Sequence, residues 1–247
     1  MMNPFQQPES KTQFWFGAIA GVMALCTIGF VVLLVIMLRG GSFGSLAKEA
    51  KKVAPTDTTT PPVASAEIRD VSKADHLRGD IDADIILVEY SDMECPFCKQ
   101  FHETVKQVVA DNGDKVAWVY RHFPLDSLHQ KARGEAIATE CAADQGGNDA
   151  FWKFLDEVFT QTNSNDSLPE TALPEIAEKI GLNRAKFESC LKSGDNADVV
   201  QADYDDAIAA GGTGTPFTVV VSKDEKIPVN GAVPLSQLQG IIDSLSN

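Results

Sequence analysis

Hydrophobic positions form one long unbroken run near the N-terminus, at residues 14–38, after a short polar stretch at residues 1–13. The run contains no charged side chain, and about 25 such residues suffice to cross a hydrocarbon core of roughly 30 Å. A cleaved signal peptide would have an apolar region about half as long, closely followed by a small-residue cleavage site. The pattern therefore predicts a transmembrane helix at residues 14–38.

Residues 39–66 contain mainly Gly, Ser, Thr, Pro and Ala, with too few large apolar side chains to form a core. This composition is typical of a flexible linker. It predicts that residues 67–247 form a separate domain on the far side of the linker from the membrane segment.

The pattern changes to short runs and helical spacing after the linker. Residues 85–90 are almost continuously apolar, which predicts a central strand buried on both faces. Residues 96–110 have apolar side chains three or four positions apart, which predicts an amphipathic helix, and a second strand begins at Lys115. A strand, a helix and a strand in this order predict a βαβ unit with parallel strands.

Helical patterns then occupy about residues 127–211, with separate helices expected from Ser127 and from Asp149. Asn183 and Asp195 are candidate N-caps, and glycines that can end helices follow the apolar patterns. Two short strands, at residues 216–222 and 227–231, and a final helix at residues 235–245 complete the chain. The sequence predicts an α/β fold with a helical insertion domain, preceded by one transmembrane helix.

The formal net charge of -14 argues against nucleic acid as a partner, because binding to phosphates requires a basic surface. Of the five cysteines, Cys95 and Cys98 form a C-x-x-C motif directly after the first strand. Pro96 suits the first position of a helix, so Cys95 is expected at a helix N-terminus. Free backbone N–H groups and the helix dipole favour a thiolate there. The motif therefore predicts a reactive outer thiol, Cys95, and an inner thiol that resolves mixed disulfides, Cys98.

Glu89 is an acidic residue within the apolar run that precedes the cysteines. Burial would raise the pKa of its carboxyl group, which could then accept the proton of the inner thiol. A glutamate at a strand edge, facing solvent, is the alternative interpretation. A further signal is Thr215-Pro216 at the entrance to a late strand, where an X-Pro bond can be cis.

These three signals together resemble the thioredoxin superfamily, and the helical stretch between the two halves resembles its DsbA-like, membrane-anchored bacterial members. The motifs are an acid six residues before C-x-x-C, a C-x-x-C that opens a helix, and Thr-Pro before a strand. The resemblance covers about residues 68–245. It implies a thioredoxin-like fold in which Cys95 is the nucleophile, Cys98 the resolving thiol and Glu89 the buried acid.

The resemblance also implies a substrate-binding region around Pro96, Phe97, Thr215 and Pro216. Pro216 would be a cis-proline that faces the disulfide, and Thr215 would offer its backbone to an extended substrate peptide. The strongly oxidising enzyme of this family carries Pro-His between its cysteines, whereas Pro-Phe stands here. Because Phe97 cannot stabilise a thiolate by charge or hydrogen bond, we expect a reduction potential between about -270 and -120 mV.

Cys141 and Cys190 lie in two helices of the insertion. A disulfide between them would close a loop of about 50 residues and stabilise the domain by roughly 4 kcal/mol. Some family relatives have a second disulfide in this region, and we expect one here, with two separate buried thiols as the alternative. A structural disulfide would also indicate an oxidising compartment.

The predicted function is a membrane-tethered thiol–disulfide oxidoreductase that forms or isomerises disulfides in extracytoplasmic proteins. Its partners would be thiol-containing proteins, a membrane or soluble protein that resets the Cys95–Cys98 disulfide, and the membrane itself, and the redox-active disulfide would serve in place of a cofactor. Basic residues are more numerous after residues 14–38 than before them, which counts against an extracytoplasmic domain. The chemistry of the cysteines favours that location nevertheless.

Two other functions compete with this prediction. Cys95, Cys98 and His102 could bind copper, which would indicate a membrane-tethered metallochaperone on the same fold. A reductase that supplies electrons to extracytoplasmic thiols would carry the same motif. His102 is otherwise expected on a helix surface. The remaining histidines fit no triad or metal spacing and are expected at the surface or at helix caps: His76, His122 and His129.

Overall fold

The computed structural model describes residues 66–246. The predicted membrane segment 14–38, the stub before it and nearly all of the linker 39–66 lie outside those residues. Within the described part, no helix is both long and apolar enough to cross a bilayer. The membrane anchor therefore stays a prediction.

A five-stranded mixed sheet forms the centre of the domain, in the order β1–β3–β2–β4–β5. β2 and β3 run parallel, as the predicted strand–helix–strand unit requires, and the other neighbours are antiparallel. β2 lies in the middle and is almost entirely buried, which accounts for its nearly continuous apolar sequence. The strands are β1 (His76–Arg78), β2 (Ile85–Ser91), β3 (Val116–His122), β4 (Phe217–Val221) and β5 (Lys226–Asn230).

Helices pack on both faces of this sheet. α1 follows β2 and precedes β3, and α2 to α5 form the helical insertion that the sequence predicted between β3 and β4. The bounds are α1 (Pro96–Asn112), α2 (Ala132–Gln161), α3 (Ala172–Lys179), α4 (Arg184–Ser193), α5 (Ala197–Ala209) and α6 (Leu235–Leu245).

The insertion differs from the prediction at two points. The two helices expected from Ser127 and from Asp149 form one kinked helix, α2. In the polar stretch between their apolar patterns, only Gly147 (φ 65°) leaves the helical conformation, so the helix bends there and continues. Asn183 caps α4 as predicted, by accepting a hydrogen bond from the backbone N–H of Lys186. Asp195 is not the cap of α5. That position belongs to Asn196, whose side chain donates to Asp144 instead.

The alternation of side chains along β2 places two kinds of residue on its two faces. Val88 and Tyr90 belong to one hydrophobic cluster, and Leu87 belongs to the larger cluster beneath α1 and α2. Glu89 lies two residues after Leu87 and therefore shares its face. Five aromatic side chains are buried in the larger cluster: Trp118, Phe151, Trp152, Phe154 and Phe159.

Candidate active site

The cysteine pair lies where β2 leads into α1. Cys95 is the N-cap residue of α1, and Pro96 is its first helical residue. The backbone N–H of Cys95 donates to the carbonyl of Asp92 at 3.1 Å, which fixes the turn before the helix. Cys98 is fully buried, whereas Cys95 retains 5% of its accessible surface. A reacting partner therefore meets the Cys95 sulfur first.

The two thiols differ in their pKa values. The hydrogen bond from Cys98 is the largest influence on Cys95, and together with Thr215 and the backbone N–H groups of Phe97 and Cys98 it outweighs burial and lowers the pKa of Cys95 to about 6. Burial, followed by the interaction with Cys95, raises the pKa of Cys98 well above its ordinary value. At neutral pH the outer sulfur is therefore a thiolate and the inner sulfur a thiol.

Glu89 is fully buried beneath this pair. Neither carboxyl oxygen has a hydrogen-bond partner among residues 66–246. Burial raises the pKa of Glu89 to about 7, and the nearby polar atoms of Ser91 and Trp118 lower it by less. The charge of Glu89 also acts on Cys98. The carboxyl group can thus exchange a proton near pH 7 beside the inner thiol, and a solvent-facing strand edge is excluded.

Thr215 and Pro216 lie on the other side of the cysteines. The peptide bond between them is cis. The thiol of Cys95 donates to the carbonyl oxygen of Thr215 at an S···O distance of 3.5 Å. The structure thus brings the late Thr-Pro motif to the reactive sulfur, although 120 residues separate Cys95 and Thr215 along the chain. Their role in substrate binding stays a prediction.

Phe97 is exposed to 61% of its surface. Although it is apolar, it does not belong to the buried face of α1, which starts one residue later. That face runs through Cys98, Phe101, His102, Val105 and Val108. Pro96 and Phe97 instead form the exposed first turn of the helix between the two cysteines.

Asp92 and His129 are residues of this site that the sequence did not reveal. His129 was expected at the surface or at a cap, yet only 6% of it is exposed. Its Nδ1 lies 2.9 Å from Oδ2 of the buried Asp92. Because Asp92 and His129 stand 37 residues apart in different loops, no local spacing could have indicated the pair.

A buried carboxyl pair adjoins the cysteine motif directly. Glu94 accepts a hydrogen bond from the backbone N–H of Asp166 at 2.6 Å. Burial and a hydrogen bond with Glu94 raise the pKa of Glu135 to about 9, so Glu135 holds a proton at neutral pH. The proton on Glu135 removes the charge repulsion that two buried carboxylates would otherwise have. The sequence analysis missed this pair as well.

His102 does not have the surface position that was predicted for it. It is 1% exposed, and its Nε2 lies 2.7 Å from Oδ1 of Asp156. Its ring packs against Trp118 and Phe159. Between residues 66 and 246, no cluster of three or more His, Cys, Asp or Glu side chains could hold a metal ion. The third ligand of the copper hypothesis is therefore engaged elsewhere.

His76 and His122 are likewise not free surface residues. The Nε2 atoms of both lie close to Oε1 of Glu140, at 3.0 Å and 2.9 Å. Burial opposes the ionised form of Glu140, but the hydrogen bonds and charges of the two histidines outweigh it and lower the pKa of Glu140 to about 2. The prediction of surface positions failed because the partner carboxylate comes from α2.

Cys141 and Cys190 form a disulfide, with a Cα–Cα distance of 5.8 Å. It connects α2 with α4 inside the helical insertion. Cys95 and Cys98 are present as free thiols. The described cysteines thus divide into one bonded pair in the insertion and one dithiol at the end of the sheet.

Known proteins with the same features identify the family. A family model described as thioredoxin matches residues 71–244. The chain belongs to the thioredoxin family. Pseudomonas aeruginosa DsbA2 is 33% identical with a TM-score of 0.62, over 71% of this chain and 97% of that chain. Wolbachia pipientis alpha-DsbA1 is 26% identical with a TM-score of 0.60, over 71% and 92%. Oxidised BdbD from Bacillus subtilis, at 21% identity and a TM-score of 0.63, shares the fold over 74% and 100%.

Curated relatives include proteins of a different kind. The chain is 34% identical over 189 residues to the Na(+)/H(+) antiporter NhaA 1 of Mycolicibacterium gilvum. The matched region covers 74% of this chain but only 30% of that antiporter. A similar protein of Herminiimonas arsenicoxydans is 31% identical over 228 residues, which is 34% of its length. The chain therefore spans about a third of these relatives, and the likeness concerns only that part of them.

Proposed function

We propose that this chain is a membrane-tethered enzyme that forms or isomerises disulfide bonds in extracytoplasmic proteins. Protein disulfide oxidoreductase activity follows from the thioredoxin family, the DsbA-like fold and the Cys95–Cys98 pair. One observation carries the proposal: the outer thiol, Cys95, has a pKa near 6, whereas the inner thiol, Cys98, is completely buried and protonated.

Disulfide formation begins with the Cys95–Cys98 disulfide. A substrate thiolate attacks the Cys95 sulfur, and the Cys98 sulfur leaves and gains a proton. A second substrate thiolate then attacks the substrate sulfur of the mixed disulfide, so that a substrate disulfide forms and Cys95 leaves as a thiolate. Two substrate thiols are oxidised and the enzyme disulfide is reduced. A low pKa makes Cys95 a good leaving group and stabilises the reduced enzyme, which favours donation of disulfides.

Isomerisation and reduction need the opposite step, in which Cys98 attacks Cys95 and releases the substrate thiol. This step requires Cys98 to lose its proton, although burial raises its pKa. The carboxylate of Glu89 can accept that proton, since the pKa of Glu89 is about 7 and its oxygens have no competing partner among the described residues. We assign this role of proton acceptor to Glu89.

Substrate peptides would bind in extended form along Thr215 and Pro216, with the exposed first turn formed by Pro96 and Phe97 on the opposite side of the sulfur. The short distance from Cys95 to the carbonyl of Thr215 supports this arrangement. The 61% exposure of Phe97 leaves an apolar side chain free to contact a substrate.

The decisive test is the reduction potential of the Cys95–Cys98 pair. The full-length chain, purified in mild detergent, is equilibrated with glutathione buffers, and free thiols are counted by mass after alkylation. We expect about -120 to -180 mV, the range of a disulfide donor or isomerase. A value below about -250 mV would replace this proposal by the reductase alternative, and co-purified copper without a reversible disulfide would contradict both.

Tethering and location require a separate test. We propose that residues 14–38 anchor the chain in the cell membrane and that the catalytic domain lies outside the cytoplasm. A membrane-impermeant maleimide added to intact bacterial spheroplasts should then label reduced Cys95, and a Cys95→Ala variant should lose that label. Labelling only after lysis would place the domain in the cytoplasm, and recovery in the soluble fraction would contradict the anchor.

A further inference from the structure

Phe97 has no polar or charged group that could stabilise the Cys95 thiolate. The groups that lower the pKa of Cys95 are Cys98, Thr215 and two backbone N–H groups, all of which are neutral. No positive charge comes from the residues between the cysteines, because these are Pro96 and Phe97. A positive charge that stabilised the Cys95 thiolate would therefore have to come from another part of the fold.

Asp92 connects the cysteine turn to the start of the helical insertion. On the cysteine side, its Oδ1 accepts the N–H of Glu94 at 2.8 Å and its backbone carbonyl accepts the N–H of Cys95 at 3.1 Å. On the insertion side, its Oδ2 accepts the N–H of Leu125 at 2.8 Å and lies 2.9 Å from Nδ1 of His129. Asp92 is 1% exposed, so its carboxylate can be buried only because these donors surround it.

The turn that contains His129 is also fixed by hydrogen bonds to Asp166. The backbone N–H groups of Gln130 and Lys131 donate to the carboxylate of Asp166, at 3.1 Å and 2.8 Å. The backbone N–H of His129 itself donates to the carbonyl of Leu125 at 2.9 Å. With its Nδ1 on Asp92 and its backbone fixed on both sides, the imidazole of His129 has one defined position.

We propose that His129, held by Asp92, is a positioning residue that places an imidazolium charge beside Cys95 and stabilises its thiolate. The helical insertion would thus supply the charge that Phe97 cannot supply within the cysteine motif. This inference rests on the proposed function, since it concerns the reactivity of the same sulfur.

The electrostatics of His129 agree with this geometry. Burial lowers the pKa of His129, but the hydrogen bond and charge of Asp92, the charge of Cys95 and the charge of Asp166 raise it by more. Three acidic groups thus act on the imidazole: Asp92 from the cysteine turn, Cys95 from the start of α1 and Asp166 from the loop after α2. The imidazolium therefore gains stability from the same thiolate that it stabilises.

The first experiment needs no variant. Because coupling between two sites is reciprocal, the Cys95 thiolate must raise the pKa of His129 as His129 lowers that of Cys95. Imidazole resonances of the full-length chain in detergent micelles are titrated by NMR, in the reduced and the disulfide form. We expect a higher pKa for His129 in the reduced form than in the disulfide form. An equal pKa of His129 in both forms would overturn the inference.

Variants then separate charge from structure. The rate of alkylation of Cys95 by iodoacetamide reports its thiolate fraction and does not depend on any protein substrate. His129→Gln should slow this rate at pH 6 about threefold or more, in line with the loss of one nearby opposite charge. His129→Lys should restore it in part. His76→Gln, which removes a histidine from a different carboxylate, is the matched control and should match the wild type.

The outcomes separate this inference from the proposed function. An unchanged alkylation rate in a folded His129→Gln variant would contradict the role of His129, even if the chain exchanges disulfides normally. Equal loss of rate in His129→Gln and His129→Lys would show a purely structural effect and would also contradict it. If the protein failed to exchange disulfides with substrates, the proposed function would fail while the NMR and alkylation results still decided the inference.

Discussion

Glu89 and Glu140 are both buried glutamates, with 0% and 6% of their surface exposed, yet their pKa values are shifted in opposite directions. Glu140 lies between two imidazoles, and its pKa falls to about 2. Glu89 has no hydrogen-bond partner in the described part of the chain, and its pKa rises to about 7. The partnered acid, Glu140, is ionised at neutral pH, whereas the unpartnered acid, Glu89, changes its protonation state near neutral pH.

This difference indicates what each carboxyl group contributes. An ionised acid with two partners connects α2 to the sheet through His76 and His122, which is a structural role. An acid without partners costs stability and persists where its protonation is useful. Four predictions follow this contrast, from large effects on stability to a small shift in pH dependence.

Removal of Glu140 should cause the largest change. Glu140→Ala leaves His76 and His122 without their common partner, and loss of one member of a buried ion pair typically costs about 3–5 kcal/mol. The free energy of unfolding in urea at pH 7 measures this cost. Glu188→Ala, which removes an exposed partner of Arg184, is the control and should leave the free energy of unfolding nearly unchanged. A loss in Glu140→Ala no larger than that in Glu188→Ala would show that the buried cluster is not structural.

Glu89→Gln should change stability in the opposite direction. The folded protein keeps a proton on Glu89 up to about pH 7, whereas the unfolded chain loses it near pH 4.5. Between these values the unfolded state binds fewer protons, so wild-type stability falls as pH rises. Glutamine does not titrate, so the variant does not lose stability in this way. Between pH 4.5 and 8 its free energy of unfolding should rise by on the order of 3 kcal/mol relative to that of the wild type.

Urea unfolding of the oxidised protein over that pH range measures the gain, because Cys95 and Cys98 do not titrate in a disulfide. Parallel stability curves for the wild type and Glu89→Gln would contradict the raised pKa. The contribution of Glu140 to stability depends on pH in the opposite direction. Its ionised form stabilises the folded state fully above about pH 4.5, and this stabilisation is lost as the pH falls towards 2.

Ser91→Ala should produce the smallest effect. Ser91 is the first of the two groups that lower the pKa of Glu89 against the effect of burial. Its removal should move the pKa of Glu89 upward, and the pH dependence of mixed-disulfide resolution should shift to higher pH. Ser193→Ala, at an exposed position in α4, should leave the profile unchanged. A shift to lower pH would contradict the assignment of Glu89.

The contrast between the two glutamates also explains what the sequence could reveal. Glu89 was recognisable because it interrupts an apolar run, and Cys95 because Pro96 marks the start of a helix. Both signals are local. The central strands, α1, the insertion and the last helix were predicted for the same reason, since each has its own hydrophobic period.

Long-range pairs could not be predicted in this way. His122 and His129 looked like surface residues because their carboxylate partners, Glu140 and Asp92, lie 18 and 37 residues away. The edge strand β1 was not predicted, since its three residues are only partly buried and have no apolar pattern. A polar side chain in an apolar stretch is visible in a sequence, but its partner is visible only in the fold.

The central claim is that Glu89 receives the proton of Cys98 when the mixed disulfide is resolved. The most direct measurement is the single-turnover rate of this step as a function of pH, with glutathione bound to Cys95. For the wild type we predict a rate that rises with pH to a plateau, with a midpoint near pH 7. Glu89→Gln should be slower by about 100-fold at pH 8 and lack that midpoint, while Glu140→Gln keeps it. An unchanged rate and midpoint in Glu89→Gln would contradict the account.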